Sequence, residues 1–152
     1  MQVLSEGLDP DISRPFPIEF AIRDTPRSHQ SKNAKGKDLW KQRVGEVARA
    51  HVNAIRGFFV LGHRPLAATI FYFPLAGMQG DVDNIVKLNV DGMLSAIYPG
   101  DRLIERVVMQ KFEPGAEAVF RSLTPTLEQA IGTERPVIYV RIDDDLSWRQ
   151  VP

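Results

Sequence analysis

The stretch Leu66-Ala67-Ala68-Thr69-Ile70-Phe71-Tyr72-Phe73 constrains the fold most strongly. It is bounded by Pro65 and Pro74 and is apolar at both odd and even positions. A half-buried strand alternates apolar and polar residues, so a run apolar on both faces predicts a strand in the middle of a covered sheet. Partners for it are readable on either side. Ile18-Glu19-Phe20-Ala21-Ile22-Arg23 alternates as a strand with one buried face does, and Pro26 ends it. Leu103 to Phe112 and Val137 to Ile142 have the same β-rich character.

Two longer segments have helical spacing. In Asp38 to Ile55, the residues Leu39, Trp40, Val44, Val47, Ala48, His51, Val52 and Ile55 recur at steps of three and four. Asp38 fits a cap or first-turn acid and Gly57 a stop. Trp40 and His51 fall on the apolar side, which predicts core roles for both. From Asp83 to Ile97, Val86, Val90, Met93, Leu94 and Ile97 form one stripe, while Ile85 and Leu88 point elsewhere. Apolar residues on more than one side predict burial against a sheet plus a second covered face, here expected at a dimer interface. A short helix is marked by Thr124 as cap, Pro125 at the first position and Gly132 at the stop. The whole reads as an α+β domain: a mixed sheet of about four strands with two principal helices. Residues 1–14 have no period and read as a loose arm, and 15–152 read as one domain.

Composition sets bounds on function. Among 152 residues, with 43% apolar and 25% charged, there is no cysteine, which excludes disulfides and thiolate metal sites and suits a reducing cytoplasm. No apolar run approaches the roughly 20 residues that span a bilayer, so no membrane association is expected. Net charge is zero, but Arg23 to Arg56 holds nine Lys or Arg against Asp24, Asp38 and Glu46. Within it, Arg27 to Lys37 is basic, small and polar and reads as a loop. Either it binds phosphate through Arg27, Lys32, Lys35 and Lys37, or it is a solvated linker. Asp143-Asp144-Asp145 reads as a solvated tail in preference to a cation site.

The chemistry concentrates in Gly80-Asp81-Val82-Asp83-Asn84-Ile85-Val86-Lys87-Leu88-Asn89-Val90-Asp91. In a helix starting at Asp83, residues 83, 87 and 91 share one face. Asp101 follows beyond that helix. Carboxylates with room for water suit Mg²⁺, a hard cation that prefers oxygen ligands. A lysine beside them can offset the charge of a phosphate. The same residues also suit a helix cap at Asp81 or Asp83 and a surface ion pair between Asp83 and Lys87.

The order Asp81-x-Asp83-Asn84-x-x-Lys87-x-x-x-Asp91, with Asp101 following, resembles the signature of the RusA family of Holliday-junction resolvases. Asp24-Thr25-Pro26-Arg27-Ser28 resembles the turn that opens that family's basic loop, with Asp24 in place of the usual Gly. Gly80 and Gly100 stand where the family often carries a basic residue and an additional acid. The resemblance covers about Phe16 to Phe112 and leaves 113–135 unmatched. It implies a homodimeric, Mg²⁺-dependent endonuclease that resolves four-way DNA junctions by paired cuts in recombination and repair. Asp81, Asp83 and Asp101 would be its metal ligands and Lys87 its essential lysine. Asn84 and Asp91 would support them from behind. Two other readings are a junction-binding protein without catalysis and a Mg²⁺-dependent phosphohydrolase of small phosphates.

Overall fold

The computed structural model describes residues 16–26, 34–55, 65–77, 83–93, 97–98 and 103–144, without the side chains of Asp83 and Asn84. The expected arm, residues 1–14, and Phe58 to Leu61 lie outside these residues. In chain order the elements are β1 (Ile18–Ile22), α1 (Ala34–Asn53), β2 (Leu66–Phe73), α2 (Asp83–Gly92), β3 (Ile104–Lys111), α3 (Pro125–Gly132) and β4 (Val137–Asp143).

The four strands form one mixed sheet in the order β1-β4-β2-β3. β4 runs antiparallel to both β1 and β2, whereas β2 and β3 are parallel. β1, β2 and β3 therefore point the same way, with β4 reversed between the first two. As expected from its two apolar faces, β2 is a central strand, paired on both sides. The connections β1-α1-β2 and β2-α2-β3 are crossovers of the kind parallel strands require.

Alternation along the strands sends two sets of side chains to opposite faces. Ile18, Phe20, Ile22, Leu66, Ala68, Ile70, Tyr72, Ile138, Val140 and Ile142 pack with α1 and α2 in the larger core. Phe73, Val137 and Tyr139 face the other way and pack with Phe112 and with Leu127 and Ala130 of α3. The α+β reading with a four-stranded mixed sheet stands, and α3 adds a layer on the second face. The previously unmatched segment 113–135 supplies that layer.

Two helix boundaries differ from expectation. α1 begins at Ala34, so Lys35 and Lys37 belong to a helix and not to a loop, and Asp38 is inside the helix rather than its cap. Ala and Lys are good helix formers, and Gly36 is among the buried residues of this helix. Asp38 instead pairs with Lys41 at 3.4 Å. Leu39, expected in the core, is 56% exposed, because the buried stripe follows Gly36, Trp40, Val44, Ala48 and Val52.

α2 is also shorter than its pattern, ending at Gly92. Tyr98, itself fully buried, donates its hydroxyl to the Val90 carbonyl at 2.7 Å. The same carbonyl accepts from the Met93 amide at 3.2 Å, so two donors meet it at this helix end. Gly92 lies against α1 so closely that a Cβ there would stand 2.8 Å from Val44 Cβ and 2.9 Å from the Lys41 carbonyl oxygen. A Cβ on Gly45 would in turn stand 2.9 Å from the Gly92 carbonyl oxygen. The two glycines let the helix backbones approach at this crossing.

The second apolar side of α2 has an intramolecular explanation. Ile85 and Leu88 are buried within this chain, at 4% and 3% exposure. None of the large exposed apolar residues among the described ones belongs to α2. The core of one chain covers those residues, so they supply no argument for a dimer interface.

Glu19 carries a network that alternation alone would have placed in solvent. It is 8% exposed. Its Oε2 accepts hydrogen bonds from Thr124 Oγ1 at 2.5 Å and from the Tyr139 hydroxyl. Thr124 also caps α3, accepting from the Leu127 amide at 3.1 Å. One carboxylate thus ties an edge strand, a central strand and a helix start. Burial and the neighbouring Glu19 carboxylate push the Tyr139 hydroxyl pKa well above its ordinary value. Glu19→Ala is expected to cost about 2–4 kcal/mol, because the buried Tyr139 hydroxyl and the partly buried Thr124 hydroxyl lose a charged acceptor. In thermal unfolding this corresponds to a fall of roughly 5–10 °C in a domain of this size. The double variant with Tyr139→Phe should lose less than the sum of the single losses; strict additivity would show that the two residues are uncoupled.

Candidate active site

α2 presents Lys87 and Asp91 one turn apart on the same side, with Lys87 Nζ 3.0 Å from Asp91 Oδ1. The lysine side chain is half exposed and the aspartate 23% exposed, so the pair sits at the edge of the core with its ammonium reachable from solvent. The observed ion pair is Lys87–Asp91; the side chain of Asp83, the partner expected for Lys87, lies outside the described residues. The expectation that 83, 87 and 91 share a face follows from the helix starting at Asp83.

The remaining predicted residues divide by position. Asp81, Asp101, Arg27 and Lys32 lie outside the described residues, and Asp83 and Asn84 are placed only as the first two residues of α2. Lys35 and Lys37 stand on the first turn of α1, Lys35 exposed and Lys37 partly buried. No group of three or more His, Asp or Glu able to hold a metal occurs among the described residues. Two of the three predicted ligands lie outside that set, and the side chain of the third is not described.

Asn89 was within the motif yet given no role, and it is fully buried. Its Nδ2 donates to the Ile85 carbonyl at 2.8 Å, while Oδ1 has no hydrogen-bond partner among the described residues. Its apolar flanks, Leu88 and Val90, were the available sequence signal for burial. Trp40 is in the core as expected, its indole N–H likewise without a partner among the described residues. His51 is half-buried against Phe20, and burial lowers its pKa. At the C-terminal end of β1, Asp24 accepts from the Thr25 amide at 2.8 Å and meets Arg43 of α1 at 3.4 Å. The turn that resembles the opening of a basic loop is therefore anchored to α1.

Asp143 belongs to β4 rather than to a tail and pairs with Arg141 at 2.8 Å. Among the described residues, no helix is long and apolar enough to cross a membrane. No protein-family model matches the chain, and no curated protein matches it.

Proposed function

We propose that this protein is a Mg²⁺-dependent, structure-selective DNA endonuclease that acts on four-way junctions as a homodimer of RusA type. The observation that carries the reading is a helix starting at Asp83 with Lys87 and Asp91 in contact, set within the order Asp81-x-Asp83-Asn84-x-x-Lys87-x-x-x-Asp91. Asp81, Asp83 and Asp101 are the residues we assign to the metal, and as carboxylates they offer the hard oxygen donors Mg²⁺ takes. When bound, the ion supplies activation of a water and neutralisation of the leaving oxygen. Lys87 offsets negative charge on the phosphoryl oxygens as the phosphodiester is attacked. Asp91 is a positioning residue: its carboxylate holds the Lys87 ammonium at 3.0 Å and restricts where it can point. Asn84, next to Asp83 in the first turn, is assigned a supporting role.

Arg27, Lys32, Lys35 and Lys37 are assigned to the DNA backbone. Replacing Lys32, Lys35 and Lys37 by Ala is expected to weaken junction binding and flatten its salt dependence, the slope of log K against log salt falling by about 0.9 per lost contact. Ala favours the helical positions 35 and 37, so folding should persist. An unchanged slope in a salt titration would remove these lysines from the interface.

A dimer with two-fold symmetry would match the symmetry of a four-way junction and allow paired cuts. Light scattering should report about twice the 17.1 kDa chain mass. Mixtures of active protein with excess Asp83→Asn variant should nick one strand and seldom resolve the junction. A monomeric mass with and without DNA, or full resolution by the mixtures, would eliminate the paired mechanism.

A further inference from the structure

The sheet face opposite α1 and α2 is incompletely covered by α3, and a cavity of about 240 Å³ opens there. Thr69 and Phe71 of β2, Arg141 of β4, and Phe120, Arg121 and Ser122 of the segment before α3 line it. Its walls are aromatic. The Phe71 ring lies 5.8 Å from that of Phe120 and 5.6 Å from that of Tyr139, nearly parallel to the latter. Both Phe71 and Phe120 are only partly buried, so ring surface is left for a guest.

The rim is cationic and has unused donors. Arg121 is exposed and forms no ion pair among the described residues. Arg141 gives Nη2 to Asp143 at 2.8 Å and has no other hydrogen bond among them. The Thr69 and Ser122 hydroxyls likewise have no partner among them. An aromatic wall beside a guanidinium suits a flat π-system carrying negative charge, which can stack on the rings and meet the cation at its anionic end. The volume falls just below the range of about 300–1,000 Å³ for drug-sized ligands, so the guest must be small or leave its charged group outside.

We propose that this cavity binds a mononucleotide-like ligand, its base against Phe71 and Phe120 and its phosphate at Arg121. Arg141, Thr69 and Ser122 would supply further polar contacts. The site lies on the opposite sheet face from α2 and does not rest on the nuclease reading. The same chemistry is presented by a free nucleotide or by an unpaired base of a nucleic acid.

The test is a titration of isotope-labelled full-length protein followed by backbone amide NMR shifts. AMP, adenosine, inorganic phosphate and a short single-stranded oligonucleotide serve as separate probes. AMP or the oligonucleotide should give saturable shifts centred on Phe71, Phe120 and Arg121, at lower concentration than adenosine or phosphate alone. The tighter of the two identifies the source of the base. Arg121→Ala should weaken that binding by about tenfold or more, the expected share of a charge-assisted contact. Arg121 is exposed, so its spectrum should otherwise be unchanged. Thr69→Val, within β2, should weaken binding less. Absence of saturable shifts at millimolar concentration would overturn the proposal. So would shifts centred on other elements, equal response to inorganic phosphate and AMP, or an Arg121→Ala affinity equal to the native one.

Discussion

Asp83→Asn is expected to lower cleavage of a four-way junction by at least about 10³-fold, because a carboxylate ligand and the metal chemistry it supports are worth several kcal/mol of barrier. Junction binding should stay within about twofold, since an amide keeps the shape and phosphate contacts dominate affinity. The motive is the position of Asp83, the first residue of α2 and one turn before Lys87. Lys87→Ala should also abolish most cleavage, through loss of transition-state charge stabilisation. Asp91→Asn should have a smaller effect, because it acts through Lys87. Measured by single-turnover cleavage with Mg²⁺ present, the order Asp83→Asn, Lys87→Ala, Asp91→Asn separates ligand, electrostatic and positioning roles. Substantial cleavage by purified Asp83→Asn would refute the assignment.

The largest stability effect is expected at the α1–α2 crossing. Gly92→Val should cost about 3 kcal/mol or more, because overpacking against atoms that cannot withdraw typically costs 1–3 kcal/mol for a single added group. The obstructing atoms are a backbone oxygen at 2.9 Å and a Cβ at 2.8 Å, neither of them the tip of a flexible side chain. Helix propensity alone makes the opposite forecast for Gly92→Ala, a gain of about 1 kcal/mol. Close packing should reverse that sign. Gly45→Ala meets the same crossing from the other side. The two Ala variants combined should lose less than their sum, since separating the helices relieves both contacts. A Gly92→Ala protein more stable than the native one, by chemical denaturation, would show that the helices do not approach this closely. Cleavage should fall with the loosening of this crossing, because α2 carries Lys87 and Asp91.

The elements that were legible in the sequence are those whose signals are local. β2 follows from a β-rich run between prolines, apolar at every position but Thr69. α3 follows from Thr124, Pro125 and Gly132, and its cap forms as expected. The lengths of α1 and α2 were not legible for a related reason. Gly36 and Gly92 look like helix-weakening residues locally, but each is buried, and at Gly92 contact with the facing helix explains its presence. The end of α2 also depends on Tyr98, eight residues from the carbonyl it meets.

Long-range polar contacts left still less trace. Glu19 sits at a position that alternation assigns to the face away from the main core. Its burial depends on Thr124 and Tyr139, more than a hundred residues away. Arg135 gives the same lesson. Its Nη1 donates to the Pro74 carbonyl at 3.1 Å and to the Phe112 carbonyl, and its guanidinium stands 5.6 Å from the Phe73 ring. It clamps the end of β2 to the segment leading into β4, and nothing near it in sequence announces that role. In the candidate active site, helical spacing made the Lys87–Asp91 relation readable. That Asp101 should converge with Asp81 and Asp83 is an expectation drawn from the family resemblance alone, because helical spacing does not reach Asp101.

The most direct test is a gel assay on an end-labelled four-way junction with fixed arms, with a linear duplex and a generic phosphomonoester alongside, each with and without Mg²⁺. Paired, symmetric cuts in opposite strands of the junction, dependent on Mg²⁺, are expected, with little cutting of the duplex and no turnover of the phosphomonoester. Tight junction binding without cleavage in any divalent metal, or phosphomonoester turnover with the junction left intact, would contradict the proposed function.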